Sequence, residues 1–173
     1  DKNEKTVVDL VKSKKRRNLS PVGRLDRDTE GLLLITNDGK LSHNLLAPGK
    51  HVDKVYIAEI SGELPEDAVL QFENGIDIGD ETLTKPARLK IIDKSAALDI
   101  SDDNLQRNTQ VEITLTEGRY HEIKRMFEAM GCRVEYLKRI SMGELKLDST
   151  LAPGEYRRLT EEEIEMLQNN LSR

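Results

Sequence analysis

The hydrophobic positions of this chain fall into short blocks that switch between the helical and the strand period. Thr6 to Lys12 spaces Val7, Val8, Leu10 and Val11 as a short amphipathic helix does, and a basic connector then runs to Ser20-Pro21. Gly31 to Thr36 is a continuous apolar run, Leu32, Leu33, Leu34 and Ile35, which predicts a central strand covered on both faces. Asn37-Asp38-Gly39 reads as a turn, and Lys40 to Leu46 as one or two helical turns ending before Pro48. In Lys54 to Ile60 both alternating sets carry apolar groups, so this strand is also expected inside a sheet. Pro65 to Glu73 predicts a helix with proline in its first position.

The second half follows the same rhythm. Short strands are expected at Ala87 to Ile92, Ala96 to Ile100 and Gln110 to Thr116. A helix is expected from Tyr120 to Met130, stopped by Gly131, and strands at Arg133 to Ile140 and Gly143 to Leu147. Thr160-Glu-Glu-Glu163 has the capping-box spacing that opens a terminal helix. Strands interleaved irregularly with helices predict an α+β fold on a mixed, largely antiparallel sheet, without repeats or a low-complexity divider.

Composition narrows the class. A length of 173 residues suits one compact unit that buries a core without covalent staples. Apolar residues are 36% and charged residues 34%, which describes a folded chain with a heavily charged surface. The single Cys132 excludes an internal disulfide framework and a Cys-based zinc cluster, and points to a reducing, cytoplasmic address. No apolar run approaches the roughly 18 residues of a membrane span, and no export signal is expected.

The net charge of −5 conceals segregation along the chain. Residues 1–27 hold nine Lys/Arg against four Asp/Glu, and residues 118–139 hold six against three. Residues 61–104 hold eleven acidic against four basic residues, so a basic face can coexist with an acidic back. Taken alone, the run Lys14, Lys15, Arg16 and Arg17 is equally a solvated basic turn.

Three constellations carry possible chemistry. Gly23-Arg24-Leu25-Asp26-Arg27-Asp28-Thr29-Glu30-Gly31 places Asp26 between two arginines in a turn, where nearby cations favour the ionised form that a nucleophile or base needs. The plain alternative is a structural turn closed by Asp28 and Thr29. Glu117 to Phe127 enters a helix on which Ile123, Met126, Phe127 and Met130 share a core face. At about 100° per residue Lys124 lies on the flank of that face and can reach inward to a carboxylate, while Arg119, His121 and Arg125 are placed to meet a polyanion near the helix start. A solvated basic helix start fits the same spacing. Tyr56 is an aromatic in an apolar strand, either core with its hydroxyl bonded or a single ring available to stack on a base. With four Tyr, two Phe and no Trp, rows of stacking aromatics are not expected.

Other chemistries lack their motifs. There is no phosphate loop and no dinucleotide Gly-x-Gly-x-x-Gly, and His43, His51 and His121 have no metal-ligand spacing. No Gly-x-Ser-x-Gly elbow offers a serine nucleophile.

Taken together, Gly23-Arg24-Leu25-Asp26-x-x-Thr29-x-Gly31-Leu32-Leu33, Lys54-x-Tyr56, Gly118-Arg119-Tyr120-His121-Glu122-Ile123-Lys124-Arg125-Met126 and Leu151-Ala-Pro-Gly-Glu-Tyr-Arg157 resemble the RNA pseudouridine synthases. The resemblance spans nearly the whole chain in family order and lies closest to the ribosomal small subunit pseudouridine synthase A branch. Relatives acting on large-subunit rRNA more often carry Asn-Arg-Gln-Ile-Arg-Arg in place of the Tyr-His-Glu-Ile-Lys-Arg stretch. The resemblance implies a pseudouridine synthase fold and the isomerisation of a uridine in ribosomal RNA. It implies 16S rRNA or the assembling small subunit as partner, and no cofactor or metal. Asp26 matches the catalytic aspartate, Tyr56 the active-site tyrosine that stacks on the base, and Lys124 the basic residue paired with the aspartate. Arg24, Arg119, His121 and Arg125 are expected to hold the RNA.

The sequence also departs from the family pattern. An S4-type RNA-binding domain and an Asn-Lys-Pro strand usually come first, and neither precedes Asp1, so residues 1–173 are expected to be a catalytic domain alone. Lys124 stands where many of these enzymes have Arg, turning a bidentate fork into a point charge. The expected state is a monomer. The alternatives are a large-subunit rRNA enzyme, a noncatalytic RNA-binding module in ribosome assembly, and a carboxylate glycoside hydrolase, which lacks a second opposed acid here.

Overall fold

The computed structural model describes residues 5–12, 18–93 and 108–171. In chain order its elements are Ser20–Pro21 (β1), Glu30–Gly31 (β2), Ile35–Thr36 (β3), Gly39–Leu46 (α1), Lys54–Ser61 (β4), Ala68–Asn74 (α2), Arg88–Asp93 (β5) and Thr109–Leu115 (β6). Glu122–Ala129 (α3), Arg133–Met142 (β7), Leu145–Lys146 (β8) and Glu161–Leu171 (α4) complete the set. The basic run at 14–17 and the strand expected over Ala96 to Ile100 lie outside the described residues.

A six-stranded sheet runs in the order β2-β7-β4-β6-β5, with β8 added to β7 as a hairpin. Only the β2 to β7 pairing is parallel, which makes the sheet mixed and mostly antiparallel, as the patterning predicts. β4 lies inside the sheet, between β6 and β7, with Ala58 and Ile60 buried on one face and Val55 and Ile57 half-buried on the other. One face of the sheet holds the main core, where α2 and α3 deliver Phe72 and Phe127 against Ile60, Val111 and Ile113. The two phenylalanine rings meet at 5.3 Å, tilted by 49°, and burial of each is worth roughly 1.5–3 kcal/mol. A second core gathers Val22, Leu34, Leu45, Val52, Met142, Leu145 and Leu167, and it is here that α4 packs. That helix opens with the predicted reciprocal cap: Thr160 N–H donates to Glu163 and Glu163 N–H donates to the Thr160 hydroxyl.

Three expectations are corrected. The apolar run Gly31 to Thr36 is not a central strand. Gly31 has φ +112° and belongs to the edge strand β2, while Ile35–Thr36 pairs with β1 in a separate two-stranded sheet. The run is apolar throughout because it crosses from the sheet edge into the second core, where Leu34 is buried, and not because a sheet covers both of its faces. The helix expected from Pro65 starts instead at Ala68, whose N–H donates to the Pro65 carbonyl in a preceding turn. Near the N-terminus only a single 3-10 turn, Val7–Leu10, replaces the expected amphipathic helix, and both of its end residues are exposed.

Candidate active site

The turn carrying Asp26 is fixed at both ends. Before it, Val22 is fully buried and its N–H donates to the Leu34 carbonyl at 2.8 Å. After it, Gly31 lies so close to β7 that an added Cβ would stand 2.1 Å from the Arg139 carbonyl oxygen, so only glycine allows this approach. Leu32 N–H donates to that same carbonyl at 2.8 Å, and within the turn Thr29 N–H donates to the Asp26 carbonyl at 2.9 Å.

Opposite stands the first turn of α3. Ile123, Met126 and Phe127 are buried and fix the rotation of the helix, which sends Lys124 out along its flank. Lys124 Nζ lies 3.3 Å from Asp26 Oδ2 and 2.5 Å from Asp28 Oδ1. Burial works against the ammonium, but the two carboxylates outweigh it and raise its pKa, and the Lys124 hydrogen bond lowers that of Asp28. His121 Nε2 approaches the other oxygen, Asp26 Oδ1, at 3.5 Å. Asp26 is thus half-buried between an ammonium and an imidazole, and the structure brings together two residues, Asp26 and Lys124, that the sequence places 98 positions apart.

Tyr56 lies on β4 with Ile113 of β6 opposite on one side and Arg139 of β7 on the other, and it packs against the main core. Arg139 is also the register partner of Gly31 on β2. Gly31, Arg139 and Tyr56 therefore form one row across the sheet, which leads from the end of the Asp26 turn to the tyrosine.

The helix starts two residues later than the spacing predicts. His121 adopts the left-handed conformation, φ 46° and ψ 38°, immediately ahead of Glu122. In that turn the rings of Tyr120 and His121 lie parallel, 3.9 Å apart and 13° from coplanar. Arg119 and Arg125 do not extend freely into solvent. Arg119 donates to Glu117, the Thr82 and Leu83 carbonyls and Asp80, and Arg125 donates to the Tyr120 and Ile78 carbonyls and to both oxygens of Asp80. Arg24 is exposed and forms no ion pair among the described residues.

Three charged residues that sequence reasoning did not single out lie behind these groups. Arg139 is 2% exposed; its Nε donates to the Leu32 carbonyl at 2.8 Å, while one terminal nitrogen has no partner. Lys54 is also buried, and desolvation together with the neighbouring Arg139 lowers its pKa. Glu122 accepts from Arg119 N–H through one oxygen and has no partner for the other. Its burial and its approach to the Glu117 carboxyl push its pKa up to about 7. A proton on Glu122 lets the two carboxyls share a hydrogen bond, and the pKa of Glu117 itself stays low: burial opposes this, but Lys85 N–H and the Arg119 guanidinium outweigh it. The only sequence signal for Lys54 and Glu122 was membership in the motifs around Tyr56 and Lys124, and Arg139 had none.

Comparison with known proteins identifies the family. Residues 1–129 match the family model described as RNA pseudouridylate synthase. The chain is 45% identical over 168 residues to an uncharacterized RNA pseudouridine synthase of Bacillus subtilis, covering 96% of this chain and 66% of the relative. It is 41% identical over 165 residues to ribosomal small subunit pseudouridine synthase A of Salmonella typhimurium, covering 95% and 65%. The chain thus spans just under two thirds of the length of these relatives. A crystal structure of a pseudouridylate synthase superposes with a TM-score of 0.82 at 37% identity, over 94% of this chain and 65% of that one. An archaeal box H/ACA sRNP Nop10-Cbf5 complex shares the fold at a TM-score of 0.54 and 21% identity, over 84% of this chain and 43% of that one.

Proposed function

Because the chain belongs to the RNA pseudouridylate synthase family, we propose that it isomerises a uridine of ribosomal RNA to pseudouridine, with small-subunit 16S rRNA as the substrate. The observation that carries the proposal is the Asp26 carboxylate, half-buried and held 3.3 Å from the Lys124 ammonium in the matching motif. The small-subunit assignment rests on the relative of that name and on the Tyr-His-Glu-Ile-Lys-Arg stretch.

The reaction breaks the carbon-nitrogen glycosidic bond, turns the uracil within the site and forms a carbon-carbon bond to the sugar. The ring carbon that joins the sugar gives up its hydrogen and the freed nitrogen gains one, so no atom is lost overall. One ionised carboxylate suffices as nucleophile or base at the sugar or the uracil. Asp26 fills that role, Lys124 sets a positive charge beside it, and Tyr56 offers a ring for the extruded base. Extrusion from a stack costs a few kcal/mol, which contacts to the displaced strand must offset. Arg24 and His121 face that strand, and Arg119 and Arg125 add positive charge to the same side while their donors hold the 77–83 loop. The proposed setting is the cytoplasm and the proposed working form a monomer. Among the described residues no helix is long and apolar enough to cross a membrane.

The test is tritium release from the uracil carbon that becomes bonded to the sugar, on 16S rRNA, for this chain and its Asp26→Asn variant. The proposal expects modification by the unaltered chain and a loss of at least about 1000-fold in the variant, with RNA still bound. Equal modification by both would refute the role of Asp26. RNA binding without turnover by either would leave a noncatalytic RNA module instead.

A further inference from the structure

Tyr120 has no part in the chemistry described above, yet it is 76% exposed, the most exposed of the large hydrophobic side chains among the described residues. Water contact over a whole aromatic ring is unfavourable unless another partner covers it. The ring and its backbone each have one tether. One face is stacked on His121 at 3.9 Å, and its backbone is held by Arg125 Nε, which donates to the Tyr120 carbonyl at 2.8 Å. Arg125 is itself anchored on Asp80, so the backbone that carries the platform is tied to the 77–83 loop before any ligand arrives. The left-handed turn at His121 presents the two rings in parallel, and the imidazole beneath reaches Asp26 Oδ1 at 3.5 Å. An aromatic ring with one face covered and one open, a single residue from a group that touches the reactive carboxylate, has the shape of a stacking site for one flat ring.

We propose that the open face of Tyr120 is a stacking platform for a nucleobase flanking the uridine that enters the Asp26 site. The inference rests on the reading of this chain as an RNA-modifying enzyme and adds a contact that fixes which neighbouring nucleotide is gripped. The ligand is a base of a single-stranded or loop segment, because a base inside a duplex has no free face to offer. Stacking tolerates any base, so the platform sets register along the strand and leaves base identity to other contacts.

The test uses the full chain carrying Asp26→Asn, which removes turnover, and an RNA hairpin with a fluorescent adenine analogue beside the target uridine. Stacking quenches the analogue. Binding by this protein is expected to quench it, and adding Tyr120→Leu is expected to abolish the quench and weaken binding roughly tenfold, the scale of one base-aromatic stack. Tyr120→Phe keeps the ring and should restore both the quench and the affinity to within about twofold. Because Tyr120 is exposed, the melting temperature should not move, which separates lost stacking from lost fold. Unchanged affinity and quench in Tyr120→Leu, with turnover intact in the chain that keeps Asp26, overturns the platform and leaves the enzyme assignment standing. Absence of any RNA binding by the protein overturns both.

Discussion

Two clusters of opposite charge flank the start of α3, and they are built to different ends. On one side Arg119 and Arg125 converge on Asp80 and on the carbonyls of residues 78, 82 and 83, through contacts that include several of 2.8 Å. These bonds close the 77–83 loop against the helix. On the other side Asp26 faces Lys124 at 3.3 Å and His121 at 3.5 Å, both beyond the usual span of a charged hydrogen bond, while the short bond of Lys124 goes to the exposed Asp28. Asp26 therefore feels positive charge without having its lone pairs taken up. A saturated guanidinium-carboxylate fork makes structure; an ion pair held slightly open leaves a carboxylate that can still react.

That contrast yields its largest effect in the half-open cluster. Asp26→Asn should abolish turnover, by at least about 1000-fold, and leave the melting temperature within a degree or two, because Lys124 keeps its bond to Asp28. Lys124→Met should slow turnover by roughly 10- to 100-fold, since it removes the positive charge beside Asp26 without removing the carboxylate. Lys124→Arg should recover most of that rate, as a guanidinium supplies the same charge. Steady-state rates on rRNA measure all three. A Lys124→Met enzyme as active as the parent would show that the open ion pair is incidental.

The difference between the clusters also marks what the sequence could reveal. The ingredients of the Asp26 cluster were legible from helical spacing, because Ile123, Met126 and Phe127 fix which way Lys124 leaves the helix. β4, β6 and the cap at Thr160 were legible for the same reason: their signals are local and periodic. The Leu32 to Ile35 run was misread because an apolar run does not say whether it is covered by a sheet or crosses between two cores, and the turn at Gly31 decides that. The Arg119 and Arg125 clamp was invisible because Asp80 comes from a loop more than thirty-five residues away. Arg139, Lys54 and Glu122 are buried charges, and nothing in a single chain distinguishes a buried charged residue from a solvated one before the sheet is assembled.

In the saturated cluster the expected effect falls on stability. Arg125→Met removes bonds to the Tyr120 and Ile78 carbonyls and to Asp80, and should lower the melting temperature by roughly 4–10 °C. Turnover measured well below that melting point should remain within a few-fold of the parent. Calorimetry and rRNA assays on the same preparation check the two halves. A large loss of turnover at unchanged stability would move Arg125 from the structural cluster to the reactive one.

The smallest effect lies where the two clusters meet, at Glu122. Its pKa in the folded protein is about 7, against 4.5 for an unperturbed glutamate. A carboxyl with a raised folded-state pKa holds more protons in the native than in the unfolded chain between those values. Its contribution is thus fully present below about pH 4.5 and is lost as the pH rises through about 7. Glu117, Asp28 and Asp80 are lowered and act the other way, but their contributions are lost only as the pH falls below the ordinary carboxylate range. The window between is left to Glu122 among these acids. Raising the pH from 5 to 8 should therefore lower the melting temperature through this residue. Glu122→Gln keeps an acceptor for Arg119 N–H and a donor towards Glu117 at every pH, so it should flatten that slope. A melting temperature with the same pH dependence in both proteins would show that Glu122 is not protonated in the fold, and that its orphan oxygen is satisfied in some other way.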